Sequence, residues 1–127
     1  MTFDAPRPTS ILVVDDEASL RKLVDRILRQ SGYNTLLAAN AQDALRLYDQ
    51  NAPDIGLVLL DWHLPGTSGK EALAALLARR ADLRVVLMTG GREATTDEHA
   101  THDTASILLK PFTTTELMLA VRTVFGA

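Results

Sequence analysis

Short apolar runs alternate with amphipathic stretches along the whole chain, and the alternation predicts its secondary structure. The run Ile11-Leu12-Val13-Val14 stops at Asp15-Asp16 and is followed by Leu20, Leu23, Val24, Ile27 and Leu28. These later positions fall at the i, i+3, i+4, i+7, i+8 spacing that gathers side chains on one helical face, so a buried strand feeds a helix. Ser31-Gly32 ends that helix, as a glycine just past the last turn does. A second strand spans Asn34 to Ala38, and Asn40 then caps a helix carrying the stripe Ala44, Leu45 and Tyr48. The third strand, Ile55 to Leu60, is apolar on both faces, which suits the centre of a parallel sheet, and it ends at Asp61. A loop from Trp62 to Gly69 precedes a helix whose Leu73, Leu76, Leu77 and alanines turn inward. The fourth strand, Arg84 to Met88, ends at Thr89 and the fifth, Ala105 to Leu109, at Lys110-Pro111. Thr113 and Glu116 form a capping box for a last helix with Leu117, Ala120, Val121 and Val124.

Five strand-helix units predict an α/β fold: a five-stranded parallel sheet, doubly wound as (βα)5, over residues 10–127, after a flexible tail at 1–9. The segment GGREATTDEHATHDT, between Thr89 and Ala105, contains no leucine, isoleucine or valine. The helix of the fourth unit is therefore expected to be short, irregular or mobile.

Composition narrows the function. At 127 residues the chain makes one domain, and 46% apolar residues fill one core without staples. The absence of cysteine excludes disulfides, thiol nucleophiles and Cys-based metal centres, and fits a reducing cytoplasm. A formal charge of -3 offers no basic footprint, so no direct nucleic-acid binding is expected. No apolar run approaches the roughly 18 residues of a membrane span, and MTFDAPRPTS does not resemble a secretory signal. The expectation is a cytoplasmic domain with no membrane contact.

The chemistry-bearing residues share one place. In an open parallel sheet, ligands bind beyond the carboxyl ends of the strands. Asp15 and Asp16 follow strand one, Asp61 strand three, Thr89 strand four and Lys110 strand five. Converging carboxylates repel unless a cation compensates, and oxygen ligands without cysteine favour Mg2+. Lys110 adds a second positive charge and Thr89 a hydroxyl donor, a set that accommodates a phosphoryl group on a carboxylate. Taken alone, Asp15-Asp16 reads equally well as a pair of helix-capping acids; for Lys110 a merely solvated lysine is disfavoured by the following proline and the three acids opposite, and for Thr89 a simple turn hydroxyl is the lesser reading. Trp62 reads as a half-exposed anchor beside the site. His99 and His102, with Asp97, Glu98 and Asp103 nearby, are ligand types, but the wholly polar segment reads as solvated surface.

ILVVDDE, LVLLDWHLPGTSG, VVLMTGG and LLKPF, in this order, resemble the signature blocks of the response-regulator receiver domain of two-component signalling, with similarity from Ile11 to Phe125. The resemblance implies a flavodoxin-like fold with strand order 2-1-3-4-5 and Asp61 as phosphoacceptor. It implies Mg2+ held by Asp15, Asp16, Asp61 and the backbone carbonyl of His63, with Asp15 acting mainly through a coordinated water. Thr89 and Lys110 would bind the phosphoryl group, Gly90 would leave room for the donor, Lys110-Pro111 would be a cis peptide, and Gly69 matches the glycine opening the third helix. The implied partners are a sensor histidine kinase or a histidine phosphotransfer protein and an unidentified downstream protein. The implied state is a monomer or a phosphorylation-dependent dimer, either standing alone or as the terminal receiver of a hybrid kinase.

The chain departs from the family's pattern in places. Ile107 occupies the switch position that usually holds Tyr or Phe. His63 and Gly91 occupy the positions that face the hydrolytic water and tune the acyl-phosphate lifetime. The polar segment of the fourth unit belongs to the usual output surface. Alternatives are a non-phosphorylated pseudo-receiver, a flavodoxin-like cofactor binder, and an aspartyl-phosphate phosphatase, which resembles DxDxT where this chain has His63 two past Asp61. The leading reading is a switch that catalyses only its own phosphorylation and dephosphorylation.

Overall fold

A computed structural model of the chain describes residues 10–90 and 105–125. Its elements are strands β1 (Ser10–Val14), β2 (Asn34–Ala38), β3 (Ile55–Asp61), β4 (Val85–Thr89) and β5 (Ala105–Leu109), with helices α1 (Ala18–Gln30), α2 (Ala41–Asn51), α3 (Gly69–Arg79) and α4 (Thr114–Phe125). All strand pairings are parallel and the order is β2-β1-β3-β4-β5. The expected fold class and strand order are both met. The expected tail at 1–9, the fourth unit's helix, and Gly91, His99 and His102 lie outside the described residues.

Strand alternation divides the core between the two faces of the sheet. Leu12, Val14, Ile55, Val58, Leu60, Val85 and Leu87 pack with Ala44 and Tyr48 of α2 and Ala72, Leu73 and Leu76 of α3. Ile11, Val13, Leu57, Leu59, Val86 and Met88 pack on the other face with Val24 and Leu28 of α1 and Leu117 and Val121 of α4. Each buried Val, Leu, Ile or Met side chain contributes about 1.5–3 kcal/mol of burial, opposed by the entropy of ordering it. Both faces of the central strands are covered, which is why their sequences show no polar alternation.

The element ends follow the local signals. Asn40 accepts from the Asp43 N–H at 2.8 Å, and Thr113 and Glu116 exchange reciprocal bonds of 3.0 and 2.9 Å. Gly32 closes α1 with φ +94. Leu23, expected on the buried stripe, is instead 50% exposed. The reason is geometric: a helix lying on a sheet buries a narrower arc, here Val24 and Leu28, and Leu23 falls beyond its edge. Ala74 and Ala78 of α3 are likewise exposed.

Candidate functional site

Strand order brings the site together. β1 lies between β2 and β3, so the crossovers that follow β1 and β3 run in opposite directions and a crevice opens beyond the carboxyl ends of these two strands. Asp15 directly follows β1, Asp61 ends β3, Thr89 ends β4 and Lys110 directly follows β5. These strands adjoin in the order β1-β3-β4-β5, so residues separated by 95 positions meet. One carboxylate oxygen from each of Asp15, Asp16 and Asp61 lies within 4.8 Å of the others. Lys110 Nζ donates to Asp15 Oδ2 at 2.9 Å and lies 3.5 Å from Asp61 Oδ2. Asp15 and Thr89 are 0% exposed and Asp61 4%, whereas Asp16 is open to solvent. The Lys110-Pro111 peptide is cis.

Burial pushes the Asp61 carboxyl above the usual carboxylate range. A hydrogen bond from the His63 N–H and the charge of Lys110 pull the other way, and the neighbouring charge of Asp15 adds to the rise. For Lys110, burial works against the ammonium, yet its hydrogen bond to Asp15 and the charges of Asp61 and Asp15 prevail and hold its pKa above the ordinary lysine value. Three carboxylates against one ammonium leave two negative charges uncompensated when all are ionised. Among the described residues, no hydrogen bond or ion pair reaches the Asp16 carboxylate. A small, all-oxygen, doubly negative set with one open carboxylate fits a hard divalent cation.

The loop after β3 is built to hold Asp61 still. The Trp62 N–H donates to the Met88 carbonyl at 2.9 Å, the Gly69 N–H to the Trp62 carbonyl at 3.0 Å, and the His63 N–H to Asp61 Oδ1 at 3.0 Å. A Cβ on Gly69 would lie 2.5 Å from the Trp62 Cα and O atoms, so only glycine lets α3 start this close to the loop. Trp62 corrects an expectation: it is 9% exposed rather than half-exposed, because its ring joins Leu64 in the core under α2 and α3. His63 is exposed. Among the described residues, a Cβ on Gly90 would meet the Lys110 carbonyl at 3.6 Å and the Lys110 Cβ at 3.8 Å. Ile107 lies on β5 opposite Leu87 and is 39% exposed.

Sequence reasoning does not single out Arg21. Its Nη1 donates to the Asp15 carbonyl at 2.7 Å. In the sequence it is one of several basic residues on an amphipathic helix, and the only available signal is its position one turn past the acid pair.

A family model for the response regulator receiver domain matches residues 11–122. The chain is 37% identical over 119 residues to the phosphate regulon transcriptional regulatory protein PhoB of Pseudomonas aeruginosa, covering 91% of this chain and 51% of that one. It is 34% identical over 113 residues to sporulation initiation phosphotransferase F of Bacillus subtilis, covering 88% and 90%. The chain thus spans about half the length of PhoB and most of the second protein. Among solved structures, it matches a response regulator receiver domain protein from Clostridium thermocellum with a TM-score of 0.85 and 26% identity, covering 93% of this chain and 94% of that one. The CheX-CheY-BeF3-Mg2+ complex from Borrelia burgdorferi matches with a TM-score of 0.84 and 26% identity, covering 93% and 90%. Among the described residues, no helix is long and apolar enough to cross a membrane.

Proposed function

This chain belongs to the response regulator receiver domain family, and on that premise we propose that it is a phosphorylation-dependent switch with Asp61 as its phosphoacceptor. The observation that carries the reading is the meeting of Asp15, Asp16 and Asp61 with Lys110 at the carboxyl ends of β1, β3 and β5. The donor is a phosphohistidine of a sensor histidine kinase or histidine phosphotransfer protein in the cytoplasm. An Asp61 carboxylate oxygen attacks phosphorus, the P–N bond breaks, and its electron pair leaves with the imidazole, which takes up a proton. The product is an acyl phosphate.

The chain's own groups set up each part of that transfer. The His63 N–H fixes the rotation of the Asp61 carboxylate through Oδ1. Lys110, 3.5 Å from Asp61 Oδ2, needs only a short swing to pair with a phosphoryl oxygen. Thr89 offers its hydroxyl from the end of the adjoining strand, and Gly90 keeps the approach open. Asp15, Asp16, Asp61 and the His63 backbone carbonyl would hold Mg2+, which when bound neutralises the carboxylates and the charge on the phosphoryl oxygens. The relative solved with BeF3 and Mg2+ supports this part of the reading. His63 and Gly91 tune how fast water removes the phosphate, and Ile107 replaces the aromatic of the output coupling. The chain acts on no diffusible substrate other than its phosphodonor.

Labelling with acetyl phosphate in the presence of Mg2+ tests the assignment. Wild type is expected to take up one phosphate per chain and Asp61→Asn none; equal uptake by the variant overturns it.

A further inference from the structure

Asp16 offers its carboxylate to the cluster, yet nothing holds that carboxylate directly: it is exposed and, among the described residues, unpartnered. Its placement is therefore decided by the backbone on either side of it. Both flanking peptides are pinned. The peptide before Asp16 contains the Asp15 carbonyl, which accepts from Arg21 Nη1 at 2.7 Å. The peptide after it contains the Glu17 N–H, which donates to Asp15 Oδ1 at 2.8 Å. A peptide is planar, so a bond to one of its polar atoms restrains the whole unit. Asp15 itself is anchored through its N–H to the Ala38 carbonyl at 3.1 Å and through Oδ2 to Lys110. The one link in this brace that comes from a helix side chain is Arg21.

From this geometry we propose that Arg21 is a positioning residue for the Mg2+ site, acting through the Asp15 carbonyl to aim the Asp16 carboxylate. The inference rests on the functional reading above, because it concerns the same cation. Two roles for Arg21 have opposite signs. If the guanidinium acted as a bystander positive charge, it would repel a cation, and its removal would tighten binding. As a brace it lowers the cost of ordering Asp16, and its removal weakens binding. A helix anchor alone would affect stability and leave cation affinity unchanged.

Isothermal titration of the full chain with MgCl2, alongside thermal melts, separates these roles. Arg21→Gln is expected to raise the Mg2+ dissociation constant about tenfold, in line with the loss of a ligand-orienting partner. Lys22→Gln, which removes the same charge from an exposed neighbour on the same helix, is expected to leave it within about twofold. Arg21→Lys keeps the charge but not the reach of the guanidinium, and is expected to fall between wild type and Arg21→Gln. An Arg21→Gln protein that melts lower but binds Mg2+ as tightly as wild type, or more tightly, overturns the proposal. If Arg21→Gln does not fold, Arg21→Lys decides: weaker binding supports the brace and unchanged binding overturns it. Wild type that takes up no Mg2+ sinks the functional reading together with this one, whereas matched affinities in wild type and variants sink this one alone.

Discussion

Asp61 is a carboxylate kept in a place that disfavours its charge. Burial raises its pKa in the fold above its value in the unfolded chain, so its ionised form costs folding free energy. That cost is absent below the ordinary carboxylate range, grows as pH rises from the unfolded to the folded pKa, and is fully present above the folded pKa. Asp61→Asn is accordingly expected to exceed wild type in metal-free stability at about pH 7.5, with the gap closing by about pH 3. The variant also loses the 3.5 Å contact with Lys110, but Lys110 keeps its closer bond to Asp15, so the relief of burial prevails. Urea titrations at the two pH values check this, and a gap that persists in acid places the gain elsewhere.

At the scale of elements, the decisive contact is between the start of α3 and the loop that carries Asp61. Gly69→Ala forces its Cβ against Trp62 backbone atoms at 2.5 Å, and because the atoms it meets are main chain, no side-chain end can swing aside to relieve the clash. The expected loss is about 1–3 kcal/mol. Slower acetyl-phosphate labelling should accompany it, since Trp62 and His63 carry the bonds that orient Asp61. Gly90→Ala is the control: its Cβ finds ordinary contact distances, and the expected cost is under about 0.5 kcal/mol. Denaturation curves for the pair separate a steric requirement from a general intolerance of change near the site. The same scale explains Leu23, which matches the apolar spacing of α1 and still lies half in solvent. Spacing records which residues share a helical face; the curvature of the surface underneath decides how much of that face is covered.

Across the whole molecule, the site ties together the ends of β1, β3 and β5, which lie far apart along the chain. A cation shared by the ends of β1 and β3 favours the folded state, because the unfolded chain does not bring Asp15, Asp16 and Asp61 together. Mg2+ at about ten times its dissociation constant is expected to add about 1.4 kcal/mol, a rise of roughly 5 °C in melting temperature for a domain of this size. Chelation should reverse the rise, and Asp61→Asn should show a smaller one. Differential scanning fluorimetry with and without a chelator reads the effect, and equal shifts in both proteins mean that the ion binds away from Asp61.

The order and type of the described elements, the caps at Asn40 and Thr113, and the position of each acid at a strand end were legible in the sequence, because they depend on neighbours within a few residues. The four matching blocks carried the expected strand order as well, through resemblance rather than periodicity. Local pattern was silent on the burial of Trp62, the exposure of Leu23, the 2.5 Å approach that requires Gly69, and the reach of Arg21 to the Asp15 carbonyl. Those features arise where one element lies against another, and the distance across that contact depends on side chains far away in the chain. Sequence determined which groups stand at the rim; packing decided how closely they stand, which of them lose water, and therefore where their charges are costly.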